Sequence, residues 1–134
     1  MNLKSYLIKM IKFLKNYFSI NDDRGSIKGL VNTGNWRELN FFETIANQKR
    51  GAHYHKLTDE LFIILKGKIK IHLSRVNEEG KLVGEKEDHV VSKGDVFIIP
   101  KLTFHAFEIL EDTKWINGLS VKFDDLKPDI YKVI

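Results

Sequence analysis

The sequence predicts an all-β barrel or sandwich entered through one amphipathic helix. Three observations carry that expectation. From residue 26 onward, apolar and polar residues alternate with a period of two in short runs. Turn-forming residues separate those runs. Only the first 20 residues follow a helical period instead. The size agrees: 134 residues, 43% hydrophobic and 30% charged, suit one globular core rather than two cores or a disordered chain.

The predicted elements run as follows. At 100° per residue, Leu3, Leu7, Met10, Ile11, Leu14, Tyr17 and Phe18 share one face of a helix over residues 3–18, with Lys4, Lys9, Lys12, Lys15 and Asn16 opposite. Two placements stay open for it: packed on its own domain or a partner subunit, or lying on an anionic membrane surface. Asn21 to Gly25 ends the helix and turns the chain. Strands are then expected over 26–31, 36–45, 60–66, 68–76, 82–91, 95–99, 104–110 and 114–123. The 68–73 stretch alternates most cleanly, with Ile69, Ile71 and Leu73 facing a core. Asn77-Glu78-Glu79-Gly80 reads as a hairpin turn, its glycine free to take a positive φ. No repeat or linker divides the chain, so the expected division is a helix over residues 1–20 and a barrel domain over 21–134.

Composition excludes several function classes. There is no cysteine, which removes disulfide frameworks, thiolate metal sites, iron–sulfur clusters and cysteine nucleophiles, and suits a cytoplasmic location. No run approaches the roughly 20 apolar residues of a membrane span. The lysine-broken N-terminus lacks the apolar stretch of a secretion signal. With 22 basic and 18 acidic residues the net charge is only +4, and the lysines are dispersed, so no nucleic-acid partner is expected.

Chemistry concentrates in two segments. In Gly51-Ala52-His53-Tyr54-His55, residues two apart in extended chain point the same way, so His53 and His55 present adjacent imidazoles. Glu60 opens the next strand and returns a carboxylate toward them. His105 opens a later strand after Pro100. Three imidazoles and one carboxylate form a ligand set for one divalent transition metal, and this donor mix does not choose among Zn, Ni, Fe, Mn and Co. The alternative is a group of hydrogen-bonded barrel histidines without metal.

The two segments resemble the paired motifs of the cupin superfamily. His53, His55, Glu60 and Gly67 match the spacing of the first motif, and Gly94, Pro100 and His105 match the second. Gly51 stands closer to the first histidine than is usual. Leu102 and Ile109 stand where the family often has glycine and asparagine. The resemblance implies a single double-stranded β-helix, or jelly-roll, barrel that pairs as a homodimer through its edge strands. Within the superfamily, Asp23-Arg24-Gly25, residues 50–55 and the tail Pro128-Asp129-Ile130-Tyr131 resemble the cupins that act on nucleotide sugars. These include the 3,5-epimerases and 3,4-ketoisomerases of keto-deoxysugars, and the C-terminal cupin domain of capsular polysaccharide reductases.

The resemblance implies an epimerase or isomerase acting on a nucleotide-linked ketosugar in surface polysaccharide synthesis. It makes Arg24 and Arg50 candidates for the substrate diphosphate, because a guanidinium fork matches phosphate oxygens. It makes Tyr131 a candidate acid or lid at the barrel mouth. In the metal-free 3,5-epimerases a histidine in the position of His53 removes the proton beside the ketone, and a neutral imidazole with a pKa of about 6.5 suits that work. Those epimerases usually lack counterparts of His55 and Glu60, whose presence here favours metal. Two further readings stand beside this one: a non-catalytic sugar- or metal-binding cupin, and a metal-dependent oxygenase. His72, His89, Trp36 and Trp115 are expected to be ordinary surface or core residues.

Overall fold

The computed structural model describes residues 10–134 and contains eleven strands among them. They are β1 (Lys12–Phe13), β2 (Phe18–Asp22), β3 (Gly25–Gly29), β4 (Glu38–Thr44), β5 (Lys49–His53) and β6 (Glu60–Lys66). There follow β7 (Lys68–Val76), β8 (Leu82–Ser92), β9 (Val96–Ile99), β10 (Thr103–Ile109) and β11 (Thr113–Leu119). A five-stranded sheet, ordered β1-β9-β6-β11-β4, faces a four-stranded sheet, ordered β5-β10-β7-β8. All their pairings are antiparallel. Alternation decides what lies between them. Ile69, Ile71 and Leu73 of β7 are fully buried, and they meet Phe62, Ile64, Phe97, Phe107 and Trp115 in one core.

The expected helix is not present over residues 10–18. Lys12 and Phe13 pair with Ile98 and Phe97, so this segment adds an edge strand to β9. Met10 and Ile11 are buried in the barrel core, and Phe18 begins a ribbon of β2 against β3. The physical reason is tertiary: the apolar residues at 10, 11, 13, 14, 17 and 18 keep a helical spacing, and pairing with β9 overrides it. The rest of the expected helix, residues 3–9, lies outside the described residues. No helix among the described residues is long and apolar enough to cross a membrane.

Residues 22–25 turn the chain as expected, but between β2 and β3 rather than after a helix. The turn at Asn77 forms as expected. Gly80 has φ +82° and donates to the Asn77 carbonyl, while the Asn77 side chain accepts from Glu79 and Lys81 amides.

His72 is less ordinary than its sequence position suggests. It lies on the outer face of the four-stranded sheet, with Nδ1 2.9 Å from Asp88 Oδ1 and Nε2 2.5 Å from Glu108 Oε2. These carboxylates raise its pKa, Glu108 most, against a small opposing effect of burial. A raised folded-state pKa means the clamp stabilises the protein fully below the unfolded value of about 6.5 and loses that contribution as pH rises through the higher folded value. His72→Gln is therefore expected to remove a small decline in stability just above neutral onset, read from denaturant melts between pH 6 and 9; identical slopes in both proteins would contradict the clamp.

Candidate functional site

Three strands and one loop bring the four expected ligands together. His53 ends β5, His105 lies on β10, and the two are register partners. His55 follows in the loop, and Glu60 opens β6 beside Leu119 of β11. The donor atoms of His53, His55, Glu60 and His105 all lie within 4.8 Å of one another. The imidazoles of His53 and His105 stand edge to face with centroids 4.7 Å apart.

Gly51 makes this approach feasible. Its φ is +79°, and a Cβ there would sit 2.7 Å from the His105 carbonyl oxygen. Gly51→Ala is expected to cost about 1–3 kcal/mol from backbone strain and to lower metal uptake together with stability. Denaturant melts and elemental analysis read both, and an unaltered variant would show that the β5–β10 contact is not what positions His53. Leu102, where the cupin motif often has glycine, is itself held at φ +58°, and its amide donates to the His55 carbonyl over 2.7 Å.

A second layer orients each donor. His55 Nδ1–H donates to the Asp129 carbonyl over 2.6 Å, and His105 Nδ1–H donates to the Thr103 carbonyl over 3.2 Å. A carbonyl only accepts, so both rings carry their proton on Nδ1 and turn the Nε2 lone pair inward. Asn117 Nδ2 donates to Glu60 Oε2 over 2.9 Å, leaving Oε1 to face the histidines. That oxygen lies 2.5 Å from His55 Nε2 and 3.2 Å from His105 Nε2. Yet His55 Nε2 and Glu60 Oε1 are buried without an aligned hydrogen bond. Lone pairs converging on one point in this way fit a cation bound between them.

The electrostatics reflect how closely one carboxylate and three imidazoles are packed. Burial alone would push the Glu60 carboxyl up, but His105 and His55 outweigh it and hold the group well below the usual carboxylate range. Burial also opposes charge on His55, where Glu60 overcomes it and raises the pKa. At His53, burial leads, the neighbouring His105 and His55 add to it, and the pKa falls to about 4. His53 is thus a neutral imidazole at physiological pH, fit to ligate a metal or to accept a proton.

A cavity of about 630 Å³ opens onto this centre, within the usual size of small-molecule sites. Phe42, Leu119, Val121, Phe123 and Ile130 give it apolar walls, and Tyr131 also lines it. Tyr131 and Tyr54 exchange backbone hydrogen bonds of 3.0 Å, and Lys56 Nζ lies 4.1 Å from the Tyr131 ring centroid. Tyr54 itself is buried, pointing away from the centre as the alternation requires.

Neither arginine lines this cavity. Arg24 stands at the tip of the β2–β3 ribbon, where its Nη2 donates to Asp22 Oδ2 over 2.7 Å and its amide donates to Asp22 Oδ1 over 2.8 Å. Arg50 lies over the Phe42 ring, with Nε donating to Thr44 Oγ1 over 3.0 Å. In each case a nearer acceptor takes the guanidinium. The sequence left Asn117 unmarked, and it marked Asp129 only as part of the tail resemblance, without a role. Asn117 was detectable as a polar residue in the inward phase of β11, where Trp115 is buried. Asp129 carries no local signal, because its partners are 71 to 73 residues away.

Comparisons with known proteins follow the same lines. A family model described as polysaccharide biosynthesis C-terminal domain matches residues 20–131. Among solved structures, the capsular polysaccharide assembling protein CapF from Staphylococcus aureus is 28% identical, with a TM-score of 0.65; the alignment covers 87% of this chain but only 34% of CapF. This chain thus spans about a third of that relative. A 3,4-ketoisomerase from Helicobacter canadensis is 19% identical, covering 91% of this chain and 90% of its own, with a TM-score of 0.69. The epimerase RmlC from Legionella pneumophila, solved with dTDP-4-keto-L-rhamnose, is 18% identical over 90% of this chain and 71% of its own, with a TM-score of 0.72. At those identities the last two establish the shared fold. No curated protein sequence matches.

Proposed function

Since the chain belongs to the polysaccharide biosynthesis C-terminal domain family, we propose that it is a metal-binding epimerase or isomerase acting on a nucleotide-linked ketosugar in surface polysaccharide synthesis. One observation carries the proposal: buried, hydrogen-bond-starved donors of His55 and Glu60 converge with His53 and His105 on the wall of a small-molecule cavity. A divalent metal held by these four residues would supply Lewis acidity toward a substrate carbonyl oxygen. The chain's own groups do the rest. Asn117 and the carbonyls of Asp129 and Thr103 hold the donors in place. The apolar walls exclude water from the sugar. Tyr131 places a phenol in the same cavity, where as an acid it returns a proton to the carbon beside the ketone, solvent having first taken one from that carbon. Without metal the removal of that proton would fall to His53.

Solvent deuterium incorporation into a 4-ketosugar nucleotide tests the reaction. Exchange beside the ketone, lost in Tyr131→Phe, is the expected result. Binding of the sugar nucleotide without any exchange would instead support the non-catalytic reading, and oxygen consumption by iron-loaded protein would support the oxygenase.

The proposal includes a homodimer. The β2–β3 ribbon is a sheet of its own and exposes Phe18, Ile20 and Ile27, and a lone two-stranded ribbon is marginal in water. Light scattering is expected to give twice the chain mass of 15.6 kDa; a monomer at working concentration would refute this.

A further inference from the structure

We propose that Glu38 and Asn40, on the inner face of β4, read the hydroxyl groups of the substrate's sugar and so set which sugar the site accepts. This inference rests on the nucleotide-sugar reading above and names the residues that select the sugar. Strand register places the pair. Glu38 stands opposite Leu119, which stands opposite Glu60. Asn40 stands opposite Asn117, which holds Glu60 Oε2. Register partners point to one face of a sheet, so the pair shares a wall with the four-donor centre. Glu38, Asn40, Glu60 and Asn117 all line the cavity. At about 4.8 Å per strand, two spacings put the backbones of Glu38 and Glu60 about 10 Å apart. A single sugar spans the gap between their side chains.

The pair is arranged to accept hydrogen bonds from a ligand. The Glu38 carboxylate takes one donor on each oxygen, Asn40 Nδ2 at 2.8 Å and the Phe123 amide at 3.0 Å. Each carboxylate oxygen has two lone pairs, so each keeps one free of these donors. A carboxylate only accepts, which fixes the Asn40 carboxamide with Nδ2 toward Glu38. Its Oδ1 lies on the other branch, without a hydrogen bond among the described residues. Both side chains are partly buried, while Leu39 and Phe41, in the opposite phase of the strand, are 66% and 53% exposed. Acceptors oriented in advance lose little freedom when a ligand donor arrives.

The neighbouring residues complete a carbohydrate surface. Phe42, two residues on along the same face, lines the cavity, as does Phe123, whose amide Glu38 holds. Hydroxyls at the edge of a sugar meet the acceptors while its C–H face meets the aromatic rings. The carboxylates of the lining outnumber its lysines, so it offers acceptors for hydroxyls more readily than counter-ions for phosphate. The pair therefore contacts the sugar and not the diphosphate.

The test is calorimetric titration of zinc-loaded full-length protein with the UDP and dTDP forms of 4-keto-6-deoxyglucose, and with UDP and dTDP alone. Wild type is expected to bind at least one sugar nucleotide more tightly than its bare nucleotide. Asn40→Ala should weaken that sugar nucleotide by roughly tenfold and leave the bare nucleotide within about twofold. Glu38→Gln, which keeps an oxygen for the Phe123 amide, should do the same and gives a second route if Asn40→Ala misfolds. Zinc content and melting temperature should stay near wild type in the variants that are compared. Leu39→Thr, at the exposed position between the two, should match wild type with every probe. Sugar-nucleotide binding within about twofold of wild type in both variants would overturn the proposal while leaving the nucleotide-sugar reading intact. So would equal weakening of sugar nucleotide and bare nucleotide, because the pair would then not be reading the sugar. Failure of wild type to bind any of the four probes at millimolar concentration would overturn both.

Discussion

His105→Ala is expected to abolish metal binding. Wild-type protein purified without chelator should carry about one equivalent of a transition metal, as a four-donor site requires, and the variant essentially none. The size of the effect follows from where His105 sits. It is buried on β10, its Nδ1 is fixed by the Thr103 carbonyl, and its Nε2 lies 3.2 Å from Glu60 Oε1. Losing a residue that merely orients a ligand costs about 10–100-fold in metal affinity, so losing a ligand itself should exceed that range. Glu60→Gln is the companion variant. It keeps the shape and the Asn117 contact but removes the only negative charge in the centre, and it should fail in the same way. Metal also stabilises the fold by linkage, so the wild-type melting temperature should fall on chelation while that of His105→Ala does not respond. Equal metal content in wild type and variant would remove His105 from the ligand set. Absence of metal from wild type, even after reloading, would sink the centre altogether and leave His53, neutral at physiological pH, as the base of a metal-free epimerase.

The four clustered side chains were legible because each lies in a short motif whose geometry is local. His53 and His55 need only an extended backbone, and Glu60 needs only to open a strand. The strands that flank them were equally clear: β6 and β7 match their expected bounds, because unbroken alternation leaves one reading. Where the sequence misleads, a distant partner decides. Met10 to Phe18 satisfies a helical period, and only the open edge of β9 turns part of it into strand. β5 was missed because Gly51 and Ala52 both take positive φ, which breaks alternation just where the strand meets β10. The two arginines suited phosphate in their chemistry, but Asp22 and Thr44 hold them elsewhere.

Asp129→Ala should loosen the tail and the metal centre together. The Asp129 carboxylate accepts the amides of Lys56, Leu57 and Thr58 at 2.9 to 3.0 Å and the Thr58 hydroxyl at 2.8 Å. Its backbone carbonyl holds His55 Nδ1. One residue thus fixes the loop after His55, the tautomer of His55 and the position of Tyr131 two residues on. Removing the carboxylate leaves three amides to find water in a partly exposed place, a cost of about 1–2 kcal/mol. The carbonyl remains in the variant, so His55 suffers only through displacement of the tail, and metal affinity should drop by about 10–100-fold rather than vanish. Stability should also change its pH dependence. Burial pushes the Asp129 carboxyl up, but the amides and the Thr58 hydroxyl outweigh it and lower the pKa. A depressed carboxylate contributes stability that is complete above the ordinary value of about 3.9 and is lost as pH falls through the lower folded value, so this acid-sensitive part should be missing in the variant. Trypsin gives an independent reading, since cleavage after Lys132 should accelerate once the strap is released, Lys127 being shielded from cleavage by Pro128. If metal affinity and cleavage both match wild type, Asp129 merely decorates the tail, and the coupling between Tyr131 and the metal centre has to be sought in the Tyr54–Tyr131 backbone pair instead.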